Sequence, residues 1–237
     1  MKNYLYPNLI LIGLSAILCF SVAAQNKKPP AKTVDAPIPP LQTELSKMEL
    51  AVVDQLNEAR TNPAVFIAYL EERRRALQGN VIKMPRQPPV RTIEGAAAID
   101  EAVESLRGVA DLKSFQVAAG LNQAARAQLA DLQEDSSIGH FGKDGSDLKT
   151  RLARFGSTKG KCGENICYRG RTARDVAAIF LVDDGVKSRA HREAVLSKHF
   201  KQIGVACGTG KNAESLCVVT FADNFKEKTS APDAVEF

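Results

Sequence analysis

Apolar positions before Ile138 recur at intervals of three and four and read as helices, and the segments after Arg192 read as strands. Met48, Val52, Leu56 and Ala59 share one helical face, which predicts a helix beginning at Glu44. Asn62-Pro63 reads as an N-cap followed by proline at the first helical position, and opens a second helix with Val65, Phe66, Tyr69 and Leu70 that runs to about Leu77. Gly79 stops it, and Met84–Pro89 is a proline-rich connector. A third helix is expected over Glu94–Leu106, with Ile99, Ala102, Val103 and Leu106 on one side. A fourth, over Ala118–Glu134, has Leu121, Ala125, Gln128 and Leu132 in one stripe, and its many alanines imply close packing against a neighbour.

Beyond that point the pattern shortens. Gly139-His140-Phe141-Gly142 reads as an irregular loop, and Ser146 as the cap of a short helix carrying Leu148, Leu152 and Phe155. Lys161–Tyr168 is a predicted strand. Thr172 is the predicted cap of a helix through Asp184, and Ser188 that of a short helix through Leu196. Gln202–Cys207 and Ser215–Ala222 read as two strands joined by the Gly208–Glu214 loop. The order is helices first and closing strands last, with no internal repeat.

The two ends of the chain do not share this patterning. Lys2 precedes an apolar stretch over Leu9–Phe20, and Val22-Ala23-Ala24 has small residues where a signal peptidase needs them, so residues 1–24 read as a signal peptide cleaved after Ala24. Lipid attachment at Cys19 is the weaker alternative because Leu18 is bulky, and the apolar run is short for a retained bilayer span. Residues 25–43 contain five prolines and three lysines with little to bury, a disordered linker. One domain over residues 44–225 and a flexible tail over 226–237 complete the expected organisation. An exported protein, periplasmic or extracellular, is the expectation.

Composition narrows the function classes. The 44% hydrophobic content suits a packed domain, and the absence of tryptophan with 6% aromatic residues argues against a stacking surface for sugars or single strands. A net charge of +5, from 32 basic and 27 acidic residues spread along the chain, gives no mandate for nucleic acid. Arg73-Arg74-Arg75 follows Glu71-Glu72 and reads as a solvated helix face. A monomer is expected.

After export, Cys162, Cys167, Cys207 and Cys217 remain, an even number for an oxidising compartment. Cys207 and Cys217 lie symmetrically about Asn212 and should pair across a hairpin. A strand through Cys162 and Cys167 would hold them on opposite faces about 16 Å apart, beyond the roughly 7 Å that a disulfide spans, so that pairing stays open.

Two of only three histidines fall in the glycine- and acid-rich runs of the second half. His140 lies outside any apolar stripe. Glu164 shares a strand face with Ile166 and Tyr168, where a carboxylate must find a donor or line a cleft. Val176, Ile179, Phe180 and Asp183 fall at i, i+3, i+4 and i+7, so Asp183 extends a buried stripe while Asp184 is turned about 100° away. His191 sits in the first turn of its helix, which disfavours an imidazolium. Arg192 should pair with an acid or with carbonyls, and His199 should be surface. Two imidazoles and two carboxylates suit zinc or another divalent ion, with Glu164, His140 and His191 as the acid–base groups if the protein is an enzyme. The chain has no nucleophile elbow, phosphate loop or dinucleotide fingerprint.

Taken in order, Gly139-His140-Phe141-Gly142-x-Asp144-Gly145-Ser146, Gly163-Glu164-Asn165-Ile166, Ser188-x-x-His191-Arg192 and Ile203-Gly204-Val205 resemble the CAP (SCP) superfamily of cysteine-rich secretory, antigen 5 and pathogenesis-related 1 proteins. The resemblance covers roughly Leu50–Asn224, and Asp183-Asp184-Gly185-Val186 with Cys207-Gly208 is similar to an exported bacterial subgroup. It implies an α+β fold, an α/β/α sandwich with a small antiparallel sheet between helical layers. It also implies a cleft of two histidines and two acids that in some members holds a divalent metal. Here Phe180 and Asp183 replace the tryptophan and glutamate usual at one corner of that cleft. Three functions follow as expectations. The first is a binding module for a small apolar ligand (lipid or sterol) or an extracellular protein. The second is a metal-assisted hydrolase, a protease or esterase, and the third is a structural or cell-surface interaction protein with an inert cleft.

Overall fold

The computed structural model describes residues 44–135, 139–211 and 215–228. The expected signal peptide with Cys19, the linker, the centre of the last hairpin loop and the final residues of the tail lie outside them. Seven helices and nine strands follow in the order α1 (Lys47–Thr61), α2 (Pro63–Arg75), β1 (Leu77–Gln78), β2 (Val81–Ile82), β3 (Val90–Arg91), α3 (Ala96–Arg107), β4 (Gln116–Val117), α4 (Ala119–Glu134), α5 (Leu148–Phe155), β5 (Gly156–Thr158), β6 (Cys162–Tyr168), α6 (Ala173–Val182), α7 (Ala190–Val195), β7 (Gln202–Thr209), β8 (Ser215–Ala222) and β9 (Phe225–Glu227).

Local chemistry fixes the helix ends. At α1 the Ser46 hydroxyl accepts from Glu49 N while the Glu49 carboxylate accepts from Ser46 N, a reciprocal cap that satisfies two otherwise orphaned donors. Proline opens α2, although the Asn62 side chain makes no capping bond. Arg73 departs from the expected solvated face. It is buried over the Tyr69 ring, 3.7 Å from Asp175, while Arg74 stays outside and pairs with Asp100. The cap of α5 is Asp147 rather than Ser146: the Asp147 carboxylate accepts from Thr150 N, and its charge suits the helix N-terminus.

The main sheet runs β4-β7-β8-β6. Its three long strands are antiparallel, as the sequence implies, but β4 adds to β7 in parallel, so the sheet is mixed at one edge. Side chains of β8 alternate between two cores. Cys217, Val219 and Phe221 join a core with α1, α2, α3, α6 and α7, whereas Leu216, Val218 and Ala222 face α4 and α5. Helices on both faces of one sheet make the α/β/α sandwich.

Close approach explains the alanines of α4. A methyl group on Gly204 of β7 would lie 2.1 Å from the Leu121 carbonyl carbon and 2.4 Å from Asn122 N, so only glycine lets the helix backbone rest on the strand. Asn122 then bonds the Val205 amide at 3.0 Å. On the opposite face Arg60 of α1 stacks on Phe115 and donates to the carbonyls of Lys113, Val195 and Ser197, tying the helical layer to the segment before β7. Two small sheets, β1-β2-β3 and β5-β9, fill stretches that the sequence reading leaves as connectors, and β9 takes Lys226 and Glu227 out of the expected tail.

Candidate functional site

Strand β6 turns Glu164 into the structure, where its side chain is only 3% exposed. Its two oxygens are held from two directions. Nδ1 of His140, on the α4–α5 loop, lies 2.9 Å from Oε1, and the fully buried guanidinium of Arg151, on α5, donates to Oε2 at 2.6 Å. Arg151 also donates to the carbonyls of His140 and Ser146, and Gln128 of α4 donates to those of Gly139 and Phe141. The histidine loop, which has no regular structure of its own, is therefore held by the side chains of two helices. His140 remains half exposed.

Asp183 and His191 form a second pair by other means. Asp183 closes α6 in the left-handed conformation, φ 53°, and is 2% exposed. Its Oδ1 lies 2.6 Å from His191 Nδ1, and its Oδ2 accepts from the backbone amides of His191 and Arg192 at the start of α7. The buried position expected for Asp183 is observed, but its cause is this turn and not an extended helical stripe: Ile179, placed on that stripe, is 41% exposed. Ser188 does not cap α7. Arg189 does, also with positive φ, and its guanidinium bonds Glu94 and Glu101. Hydrogen bonds from Arg189 hold the Glu94 carboxyl down at about 2.

Arg192 is buried and donates to the carbonyls of Leu181 and Val182 and to Glu101, the acid-and-carbonyl partnership expected of it. Asp184 binds the amides of Ile93 and Glu94, and His199 is exposed. Asn165, next to Glu164, donates to the His191 carbonyl at 3.0 Å and so links the two pairs through β6.

In both pairs the carboxylate engages Nδ1, which leaves Nε2 as the nitrogen of each ring not held by the acid. Such backing by a carboxylate is what a metal-binding imidazole ordinarily has. The donor set is nevertheless small. Glu164 and Asp183 are already occupied by a guanidinium and by backbone amides. Among the described residues no three His, Cys, Asp or Glu side chains gather into a group able to hold an ion. As arranged, the site offers two imidazole nitrogens, one fewer than the three protein ligands of a catalytic zinc.

Cys207 and Cys217 form a disulfide. Cys162 and Cys167 are thiols, so the cysteines of the described chain are not all oxidised. Neither is poised as a nucleophile: burial raises the Cys162 thiol and pushes the Cys167 thiol up to about 12.

Arg151, Gln128 and Asn165 are the positioning residues that the sequence reading overlooks. Arg151 did carry a signal, since with Leu148, Leu152 and Phe155 it falls at i, i+3, i+4 and i+7. A cation on an apolar stripe implies a buried anion to meet it.

The sequence model of the cysteine-rich secretory protein (CAP) family matches residues 101–221. No curated protein matches the chain. Among solved structures, an outer surface protein from Borrelia burgdorferi is similar at 19% identity over 58% of this chain and 98% of that one, with a TM-score of 0.41. Among the described residues no helix is long and apolar enough to cross a membrane.

Proposed function

Since the chain belongs to the cysteine-rich secretory protein (CAP) family, we propose that it is an exported binding module that presents His140 and His191 to a ligand. The observation that carries this reading is the engagement of both acids. Glu164 and Asp183 each fix an imidazole at Nδ1 and take further donors behind it, so the chemistry left free is that of two oriented rings, His140 half exposed and His191 partly covered. A depression of about 350 Å³ between α2 and α3 is lined chiefly by charged side chains, among them Glu71, Arg74, Asp100 and Arg107.

A metal-assisted hydrolase is the second reading, favoured by the carboxylate backing of Nδ1 in both rings. His140 and His191 would hold the ion, Glu164 and Asp183 would orient them, and a bound divalent metal would supply a water of lowered pKa.

The deciding experiment measures zinc content and affinity in the full chain and in the form from Gln25 onward, beside a His140→Ala, His191→Ala double variant, with peptide and ester substrates and a fluorescent sterol as probes. The binding-module reading expects no turnover. Stoichiometric zinc and turnover, both lost in the double variant, would replace it with the hydrolase. Sterol binding that saturates at one equivalent would make the ligand a lipid.

A further inference from the structure

Strand β6 ends the main sheet. In the order β4-β7-β8-β6 it has β8 on one side and, among the described residues, no strand on the other. Its register runs unbroken from Cys162 opposite Ala222 to Tyr168 opposite Leu216. Two bonds just beyond the strand ends fix which main-chain groups that pairing consumes. Asp223 N donates to the Lys161 carbonyl and Arg169 N to that of Ser215, so the odd-numbered residues of β6 are the ones bonded to β8. The amides and carbonyls of Cys162, Glu164 and Ile166 therefore point away from the sheet, and among the described residues no group bonds them.

Exposure agrees. Glu164 as a residue is partly accessible although its side chain is 3% exposed, so what solvent reaches is its main chain. Cys162 and Gly163 are partly accessible too, whereas Ile166 is buried, which places the open stretch at Cys162–Glu164. That stretch borders both imidazole pairs. Glu164 holds His140 on one face of β6, and Asn165 holds the His191 carbonyl on the other. Proline, lysine and bulges, the common guards of an edge strand, are absent from β6. Its one charge, Glu164, is already met by Arg151.

We propose that this edge binds an extended segment of a partner protein, which adds to the sheet as a further strand through the main chain of Cys162 and Glu164. The proposal rests on the binding-module reading and gives its partner a chemistry. Outward donors and acceptors at every second residue, about 7 Å apart, match the main chain of an extended peptide. A lipid or sterol tail has no groups that answer them. Main-chain bonds give such a strand its affinity, and the half-exposed His140 ring beside Glu164 provides a side-chain contact for discrimination.

The test selects peptides from a random library on the immobilised full chain and titrates the best binder calorimetrically. That peptide should saturate at one equivalent, and its fully N-methylated form, which has no amide to donate, should not bind. Cys162→Pro removes one outward amide at the first position of an edge strand, where proline is tolerated. It should weaken binding about fivefold to tenfold relative to Cys162→Ala, which keeps the amide. Failure to select any saturating peptide overturns the proposal, as does unchanged affinity on N-methylation or equal affinity in the two Cys162 variants. Should Cys162→Pro fail to fold, amide hydrogen exchange at Cys162 and Glu164 of the parent decides: slowing on peptide saturation supports the added strand, and unchanged exchange overturns it. The His140→Ala, His191→Ala double variant separates this proposal from the reading it rests on. Binding lost there but undiminished in Cys162→Pro keeps the imidazoles and overturns the edge. Binding kept there but diminished in Cys162→Pro keeps the edge and overturns the role of the imidazoles.

Discussion

The two carboxylate–imidazole pairs look alike in their contacts and differ in what supports them. Glu164, on β6, draws its partners from two other elements, the α4–α5 loop and α5. A full positive charge, Arg151, sits behind it at 0% side-chain exposure. Asp183 takes all its partners from residues eight and nine positions later, and two of its three bonds come from backbone amides at a helix start. The first pair is a long-range assembly whose charge is balanced by another charge, and the second is a local turn whose charge is balanced by dipoles. A buried ion pair is fragile to the loss of one member, whereas a carboxylate on amides loses only hydrogen bonds.

Four measurements bear on that contrast. Replacing Arg151 by Met should do the most damage. It leaves Glu164 buried without its counter-charge and should cost about 3–5 kcal/mol in urea unfolding. A loss below about 1 kcal/mol would show that solvent reaches Glu164 and that the two halves are not differently built. Asp183→Ala should cost less, about 2 kcal/mol, because it unpartners two amides and one imidazole but strands no charge. A loss equal to that of Arg151→Met would erase the distinction.

The third measurement is acid unfolding of Glu94→Gln. In the folded chain the Glu94 carboxyl titrates at about 2 against an ordinary 4.5, so its contribution is complete above about 4.5 and disappears as pH falls towards 2. Glu94→Gln should flatten the stability profile across that window and leave the slope above it unchanged, because the amide that replaces the carboxylate does not titrate. An unaltered slope below pH 4.5 would detach Glu94 from the support of the second pair. The smallest effect belongs to His140→Ala, expected within about 0.5 kcal/mol because the ring is half exposed and Arg151 still holds Glu164. A larger loss would place His140 in the framework and not at the surface.

The sandwich itself was legible because its helices and long strands run over enough residues to leave a pattern: the spacing of Val52, Leu56 and Ala59 in α1 and the continuous apolar run of β8, buried on both faces, are examples. The strands that escaped are two or three residues long, too short for any period, and some of them pair only with distant partners, as Gln116 does with Gln202. The four site residues could be named from their types and surroundings, but their pairing could not. Asp183 reaches His191 through a left-handed turn that no apolar pattern encodes, in a residue type that tolerates it. Cap positions failed for a simpler reason. At Ser146-Asp147 and Ser188-Arg189 two adjacent residues could each end a helix, and tertiary contacts chose between them.

The register of the main sheet has one further consequence. Cys217 is paired directly with Cys207 on one side and with Cys167 on the other, so three sulfurs stand in a row on one face of β7, β8 and β6. Opposed residues in antiparallel strands come within about 5.5 Å at Cα, inside disulfide reach. The fold thus contains two alternative sites for a single cross-link, and Cys217 is common to both. With Cys207 replaced, the opposed Cys167–Cys217 position would be the one cross-link site left in this row, and under an added oxidant a bond there would join strands some fifty residues apart in sequence and close the larger loop.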